Sequence, residues 1–528
     1  MKKFLSLISL ALVLICLAST GRAQDNLLEL LPGAESVVID LEQGKQTLVG
    51  NVRFKYQGST MYCDSAIYLF QKKQVFAYGK VHMNSQDTLN LFCDSLMYND
   101  NSHIAKLWGN VRIRDRYYRI DTDSLEFHTK KETMTYRNGA VITNVTKNER
   151  LTSRSGTYFR KSEVFNFGKD VLFTNDTYHI TTDTMRYKTK LDELTFYGAT
   201  RIHQLTDSTV IYCNKGYFDA KNNNGTFEGN ARIFKPEQQL YGNKLIYNNA
   251  QELAIGEGNV RIIDFKEQVE IYCGHAISDG LNKFKLATLN PLFFSYKDND
   301  TSYLMADTIQ IFQDSLDEVT LIRAYRQVAY ASSSYFSTCD SLINSNIDST
   351  TMLYGSPTLW TENSQMTGDY MEVIRDSNGI KTAKVNGSAL SVSEVEKDLY
   401  YNQVSGRDMT GYFTQGKLNQ VHVIGNAKTI YFIEDEKEND STVVIERQGM
   451  SRLVSSELKV YLDSGEVTRV TYYGNPDGAN YDLGNIPVKE MKTESFVWIP
   501  NEKPKPAKEI YGETVRLFEE RTKASNIQ

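Results

Sequence analysis

The stretch Leu107–Phe127, "LWGNVRIRDRYYRIDTDSLEF", decides the fold. It opens on an alternating run. Leu107, Gly109, Val111 and Ile113 lie on one side, with Arg112 and Arg114 on the other. A second run returns, in which Ile120 and Thr122 share a face and Leu125 and Phe127 form the next apolar pair. The step from 122 to 125 is three residues, so the period-2 phase slips at Asp123-Ser124. A slip inside a strand marks a bulge or corner. Asp and Ser suit it because their side chains bond local backbone. Gly109, on the apolar side of its own strand, permits a second bend or a close backbone approach. The stretch reads as two antiparallel strands, each folded near its middle.

The same phrase recurs. From Gly50 ("GNVRF") it returns at Gly79, Gly109, Gly139, Gly168, Gly198, Gly229 and Gly258, at intervals of 29 to 31 residues. Each copy has a second landmark about half an interval later, as in "CDSAIY" (63–68), "CDSLMY" (93–98), "TDSLEF" (122–127) and "TDTMRY" (182–187). A fixed period of this size signals a repeat architecture. The fold expected is therefore all-β: a repetitive antiparallel open β-jellyroll, a folded two-sheet stack with ~30-residue repeats. Val111, Ile113, Ile120, Leu125 and Phe127, with their equivalents Leu91, Leu96, Val171, Phe173, Ile180 and Met185, are expected to face inward.

Cys63, Cys93, Cys213 and Cys273 share one column with Thr122 and Thr182. That column wants a small, core-facing residue. Equivalent positions of neighbouring repeats lie ~9.6 Å apart, twice the strand spacing. Disulfide bridging needs Cα atoms within about 7 Å, so these cysteines are expected to be free.

Outside the repeats, Lys2 and Lys3 precede an apolar run, Phe4–Ala18, and Gly21-Arg22-Ala23 offers small residues for cleavage. Residues 1–23 are expected to be a secretory signal. Cys16 follows the bulky Ile15, which disfavours lipidation. Residues 24–289 form the regular array and 290–480 a divergent continuation with longer loops. Residues 481–528 are expected to be a linker, centred on "NEKPKPAK" (501–508), followed over 508–523 by a short helix or frayed tail.

The chemistry of enzymes is missing from the sequence. The net charge of −6 argues against nucleic acid. No HExxH, GxSxG or GxxxxGK[ST] occurs, and Gly256-Glu-Gly258 is half a dinucleotide fingerprint inside the repeat phrase. The recurrent Asp (Asp64, Asp94, Asp123, Asp183, Asp340) supplies one carboxylate per repeat, without the companions a calcium site or an acid–base pair requires. No enzyme, metal or cofactor is expected.

The series "GNVRI", strand, "A/C/T-D-S-L-x-Y", glycine resembles the OstA-like family of lipopolysaccharide-transport proteins, most clearly over residues 40–265. The resemblance implies an open, twisted jellyroll in the periplasm whose apolar interior shields lipid A acyl chains on the way to the outer membrane. It makes the eleven inward residues above the lipid-groove candidates. It also implies partners: lipopolysaccharide, and other transport components or a second copy, joined through exposed β edges. Peripheral attachment to the outer membrane is compatible with it. The alternative is a structural or adhesive β-repeat envelope protein with a fully packed core.

Overall fold

A computed structural model describes residues 29–501, apart from 57–58, 86–88, 115–117, 297–300, 333–334, 362–363, 378, 416, 440–441 and 464–465. The expected signal at 1–23 and the helix or tail at 508–523 lie outside the described residues. Within them the chain is antiparallel β, with no helix of seven or more residues. It divides into two compact units, Met1–Pro236 with Tyr241–Ala250, and Glu237–Leu240 with Gln251–Gln528.

In the first unit, Ile104–Arg114 and Tyr118–His128 show one repeat. Trp108 pairs with Ser124 and Val111 with Thr122, so Gly109 and Asn110 stand opposite Asp123 alone. Two residues against one make a β-bulge. Both bulged residues are left-handed, with φ of 75° and 47°, a region open to Gly and tolerated by Asn. Gly50-Asn51 and Gly79-Lys80 repeat the device in this unit. In the copy read from Gly168 the bulge falls one residue later, on Lys169-Asp170.

The bulges align into a crease that divides the strands into two leaves. Leaf A holds the segments before each bulged glycine, leaf B those after it. In some repeats the strand breaks completely: Thr133–Tyr136 and Ala140–Asn144 pair separately with the two halves of Tyr118–His128. Apolar side chains fill the space between the leaves, among them Leu107, Phe127, Phe167 and Phe196 from leaf A, and Val111, Phe173 and Ile202 from leaf B, all buried.

The structure corrects the placement of the glycine. A Cβ on Gly109 would clash with Asp94 Oδ2, and one on Gly79 with Asp64 Oδ2. The glycine does not face the apolar interior. It lies in the crease beneath a carboxylate of the preceding strand, because the bulge rotates it out of the alternation. Asn110 Nδ2 donates to that carboxylate at 2.9 Å. Most of the Asp ladder is thereby explained: Asp64, Asp94, Asp183 and Asp340 each cover the next glycine, whereas Gly139, after Asp123, has no such cover.

The second unit uses the same crease at Gly258-Asn259, Gly387-Ser388 and Gly425-Asn426. At Arg326-Gln327 the two left-handed residues persist without glycine. Val328, Ala389, Ala427 and Leu458 belong to a core between the leaves. Three further buried clusters lie on the opposite face of leaf B, since their members have the other parity. Ala329 and Ala331 pack with Phe336 and Trp360, Leu390 and Val392 with Tyr401, and Ile430 and Phe432 with Met450.

Residues 483–501, expected to belong to a linker, instead pack against that outer face. Phe496 and Trp498 cover Leu390, Val392 and Tyr401, while Ile486 and Met491 cover Phe432 and Met450. Two buried glutamines hold the backbone of this strap. Gln403 Nε2 donates to the Met491 carbonyl at 2.8 Å, and its Oε1 accepts from the Thr493 amide at 2.9 Å. Gln365 repeats the clamp with the Val497 carbonyl and the Ile499 amide, at 2.9 and 2.7 Å.

Candidate functional site

The candidate site is the interior of the first unit. Ten of the eleven expected residues are buried there: Leu91, Leu96, Val111, Ile113, Leu125, Phe127, Val171, Phe173, Ile180 and Met185. Ile120 is half-buried, and pairs with Ile113 on one side and Ile142 on the other. Strand alternation puts these side chains on one face of each leaf, and the crease turns the two faces toward each other.

The interior is filled in this conformation. Phe173 from leaf B meets Tyr187 from leaf A edge-on, with ring centroids 5.8 Å apart, and Tyr178 meets Phe218 at 5.2 Å. Tyr136 Oη and Ser153 Oγ share a hydrogen bond of 2.5 Å across the leaves. At the leaf tips, far from the crease, Lys147 Nζ reaches Asp192 Oδ1 at 2.6 Å, and Tyr187 Oη donates to the same oxygen at 2.9 Å. Asn144 Nδ2 donates to Glu149 Oε2 at 3.3 Å beside them. Burial pushes the Glu149 carboxyl up, and burial together with the Glu149 charge raises Tyr187. An acyl chain can occupy this space only if the leaves part and these contacts open. Of these tip residues only Tyr187 stands in a repeat landmark; Lys147 and Asp192 lie in turns, where the period carries no constraint.

The small column is also buried. Cys63, Cys93, Cys213, Cys273 and Cys339 are all free thiols. Burial, helped by Asp94, pushes Cys93 up to about 12, and burial pushes Cys63, Cys213 and Cys273 to about 11. Such thiols are poor nucleophiles and poor metal ligands. Thr122 Oγ1, in the same column, donates to the Gly139 carbonyl at 2.7 Å. Along the crease a depression of about 770 Å³ is lined by Asp94, Asn110, Arg112, Asp121 and Asp123 together with Val111 and Val141. Among the described residues no three or more His, Cys, Asp or Glu side chains gather as metal ligands.

The edge of the unit is a second feature of interest. Ser36–Asp40 pairs with Lys45–Tyr56 and, among the described residues, with no strand on its other side. It exposes Val37, Val38 and Ile39, each by 45 to 58%. An unpaired apolar edge is a template for another strand. Separately, no helix among the described residues is long and apolar enough to cross a membrane.

Residues 34–183 match the family model described as "OstA-like protein", and this stretch of the chain is OstA-like. No curated protein matches the chain. Among solved structures, it is similar to LptH of Pseudomonas aeruginosa, described as the LptA-homologous periplasmic component of the lipopolysaccharide transport device. The two are 15% identical, the match covers 28% of this chain and 93% of that one, and the TM-score is 0.20.

Proposed function

We propose that this chain is a periplasmic lipid-carrying bridge, holding the acyl chains of lipopolysaccharide between the leaves of its folded sheet on the way to the outer membrane. The observation that carries this reading is the apolar interior of the first unit, whose stretch 34–183 is OstA-like. Reversible burial is the whole chemistry: each CH₂ taken from water contributes about 0.8 kcal/mol. Repeated rungs offer similar surfaces, so a chain can move along them without a deep trap. The edge strand Ser36–Asp40 is the proposed docking point for another transport component or a second copy, by β-augmentation.

A photo-crosslinking residue at Phe127, on the interior face, is expected to capture lipopolysaccharide in the native envelope. One at Arg114, on the opposite face, is expected to stay unlabelled. Equal labelling at both positions overturns the groove. Deleting residues 24–48 is expected to abolish assembly with the partner while leaving the rest folded; unchanged assembly moves the docking point elsewhere.

The tight filling of the interior favours a second reading, a structural or adhesive β-repeat protein with a packed core. Mass spectrometry of lipids co-purifying from the native envelope separates the two. Stoichiometric lipopolysaccharide supports the bridge, and its absence supports the packed repeat.

A further inference from the structure

The first unit has a row of turns at the tips of each leaf, and the two rows differ in charge. On leaf A, four successive turns span 129–132, 160–163, 189–192 and 220–223, with the sequences "TKKE", "RKSE", "TKLD" and "AKNN". The last residue of each is left-handed: Glu132, Glu163, Asp192 and Asn223 have φ of 53–57°. The turns are also bonded to one another. The Arg160 amide donates to the Glu132 carbonyl at 3.2 Å, Thr189 to Glu163 at 3.2 Å and Ala220 to Asp192 at 3.0 Å. Equal turns joined in register place equivalent residues in a line, two strand spacings or ~9.6 Å apart. The second residue of every one of these turns is lysine: Lys130, Lys161, Lys190 and Lys221. All four are exposed, and none makes an ion pair among the described residues. Of the acids on the same turns, Glu132 is held by Arg160 at 3.3 Å and Asp192 by Lys147 at 2.6 Å, which leaves Glu163. The leaf B turns of these repeats, 145–148, 175–177 and 205–209, carry Lys147, bound to Asp192, and the acids Asp176 and Asp207. One lip of the unit is cationic and the other is not, in a chain of net charge −6.

We propose that Lys130, Lys161, Lys190 and Lys221 form a phosphate rail, which holds the phosphorylated headgroup of a lipid whose acyl chains lie between the leaves. This rests on the bridge reading above and adds the part of the lipid that an apolar interior cannot recognise. Chains held between the leaves bring their headgroup out at the leaf tips, where the lysines stand. An ammonium group acts on phosphate as a point charge on a flexible stem, so each rung accepts the headgroup in many rotations. Screening at physiological salt acts over ~8 Å, close to the ~9.6 Å between rungs. A phosphate on one lysine therefore already feels the next, and the headgroup can step along the rail while its chains slide. The contact of Lys147 with Asp192 closes the same mouth, so the rail stands where the leaves must part.

The test measures retention of two lipids on the immobilised full chain: lipid A bearing its phosphates, and the same lipid A after phosphatase treatment. The unaltered chain is expected to bind the phosphorylated form at least tenfold more tightly. The combined Lys130→Gln, Lys161→Gln, Lys190→Gln and Lys221→Gln variant is expected to lose that preference and to keep its affinity for the dephosphorylated form within twofold. Arginine at the same four positions is expected to retain the preference. A preference that survives the glutamine variant overturns the rail and leaves the bridge standing, as does equal weakening toward both lipids with unchanged circular dichroism. If the unaltered chain binds neither lipid, the bridge fails and the rail with it. Inorganic phosphate alone is expected not to bind saturably. Saturable binding that the glutamine variant lacks would assign the row to the free anion and overturn the headgroup role.

Discussion

Val111-Arg112-Ile113-Arg114 in the first unit and Ala389-Leu390-Ser391-Val392 in the second occupy equivalent places just past a crease glycine. In the first, the apolar side chains point between the leaves and Arg112 points to solvent. In the second, the orientation is the same, with Ala389 inward, but the outward positions are apolar: Leu390 and Val392 are 1% exposed because the strap lies over them. The same bulge therefore serves two layer counts. A polar outer face closes the fold at two layers, and an apolar outer face requires a third. Both faces of a doubly covered strand must be apolar enough to bury, and the second unit meets that demand with Ala389 on the inner face and Leu390 and Val392 on the outer one.

The comparison can be broken at its strongest point. Phe127→Ala removes an interior ring of the first unit, and Phe432→Ala an outer-face ring of the second; both residues are 1% exposed. Each is expected to cost about 3–5 kcal/mol, measured by urea unfolding. A cost below about 1 kcal/mol for Phe432→Ala would show that the strap layer is not a core.

Gly109→Ala ranks next, at about 2–3 kcal/mol, since it adds a left-handed side chain and displaces Asp94. Gly379→Ala is the control. Its φ is also positive, at 108°, but nothing lies within 4 Å of the added Cβ. A smaller loss at Gly379 isolates the contribution of the covering carboxylate, and equal losses would reduce the effect to backbone strain alone.

Gln403→Ala leaves the Met491 carbonyl and Thr493 amide without their clamp, at about 1–3 kcal/mol. Limited proteolysis is expected to cut within 483–501 faster in this variant, with cleavage in residues 29–236 unchanged. Acceleration in both regions would mean that the clamp is not local.

The smallest effect is a pH dependence. Cys93 is raised from an ordinary thiol value near 8.5 to about 12 by burial and Asp94. Between those values the folded state holds a proton that the unfolded state has lost, so stability falls as pH rises above about 8.5. At pH 9 the loss is less than about 1 kcal/mol per thiol. Cys93→Thr, a residue this column accepts at Thr122 and Thr182, is expected to flatten the decline. An unchanged slope would assign it to other groups.

Much of this was legible in the sequence, and the reason is periodic. The crease was visible because glycine and the Asp-Ser slip return every ~30 residues, and the inward set followed from alternation on either side. The glycine's own direction was misjudged, because alternation cannot be carried through a bulge that adds a residue. The outer stripe was missed for the same reason: past the crease, Leu390 and Val392 look like interior residues of a weak repeat. The tip contact of Lys147 with Asp192 joins turns far apart in sequence, and nothing local encodes it. Gln365 and Gln403 look like ordinary strand glutamines until the strap supplies their partners.

The carboxylate-over-glycine contact has a consequence for how such a chain changes length. Asp64 belongs with Gly79, Asp94 with Gly109, and Asp340 with Gly355, so each of these repeats carries the half-joint that its successor completes. A duplication of one whole period inserts a residue pair that fits its neighbours on both sides. Insertion of a few residues within a strand would instead strand a carboxylate away from its glycine and throw the following faces out of phase. Growth and shrinkage of this protein are accordingly quantised, with the rung as the heritable unit.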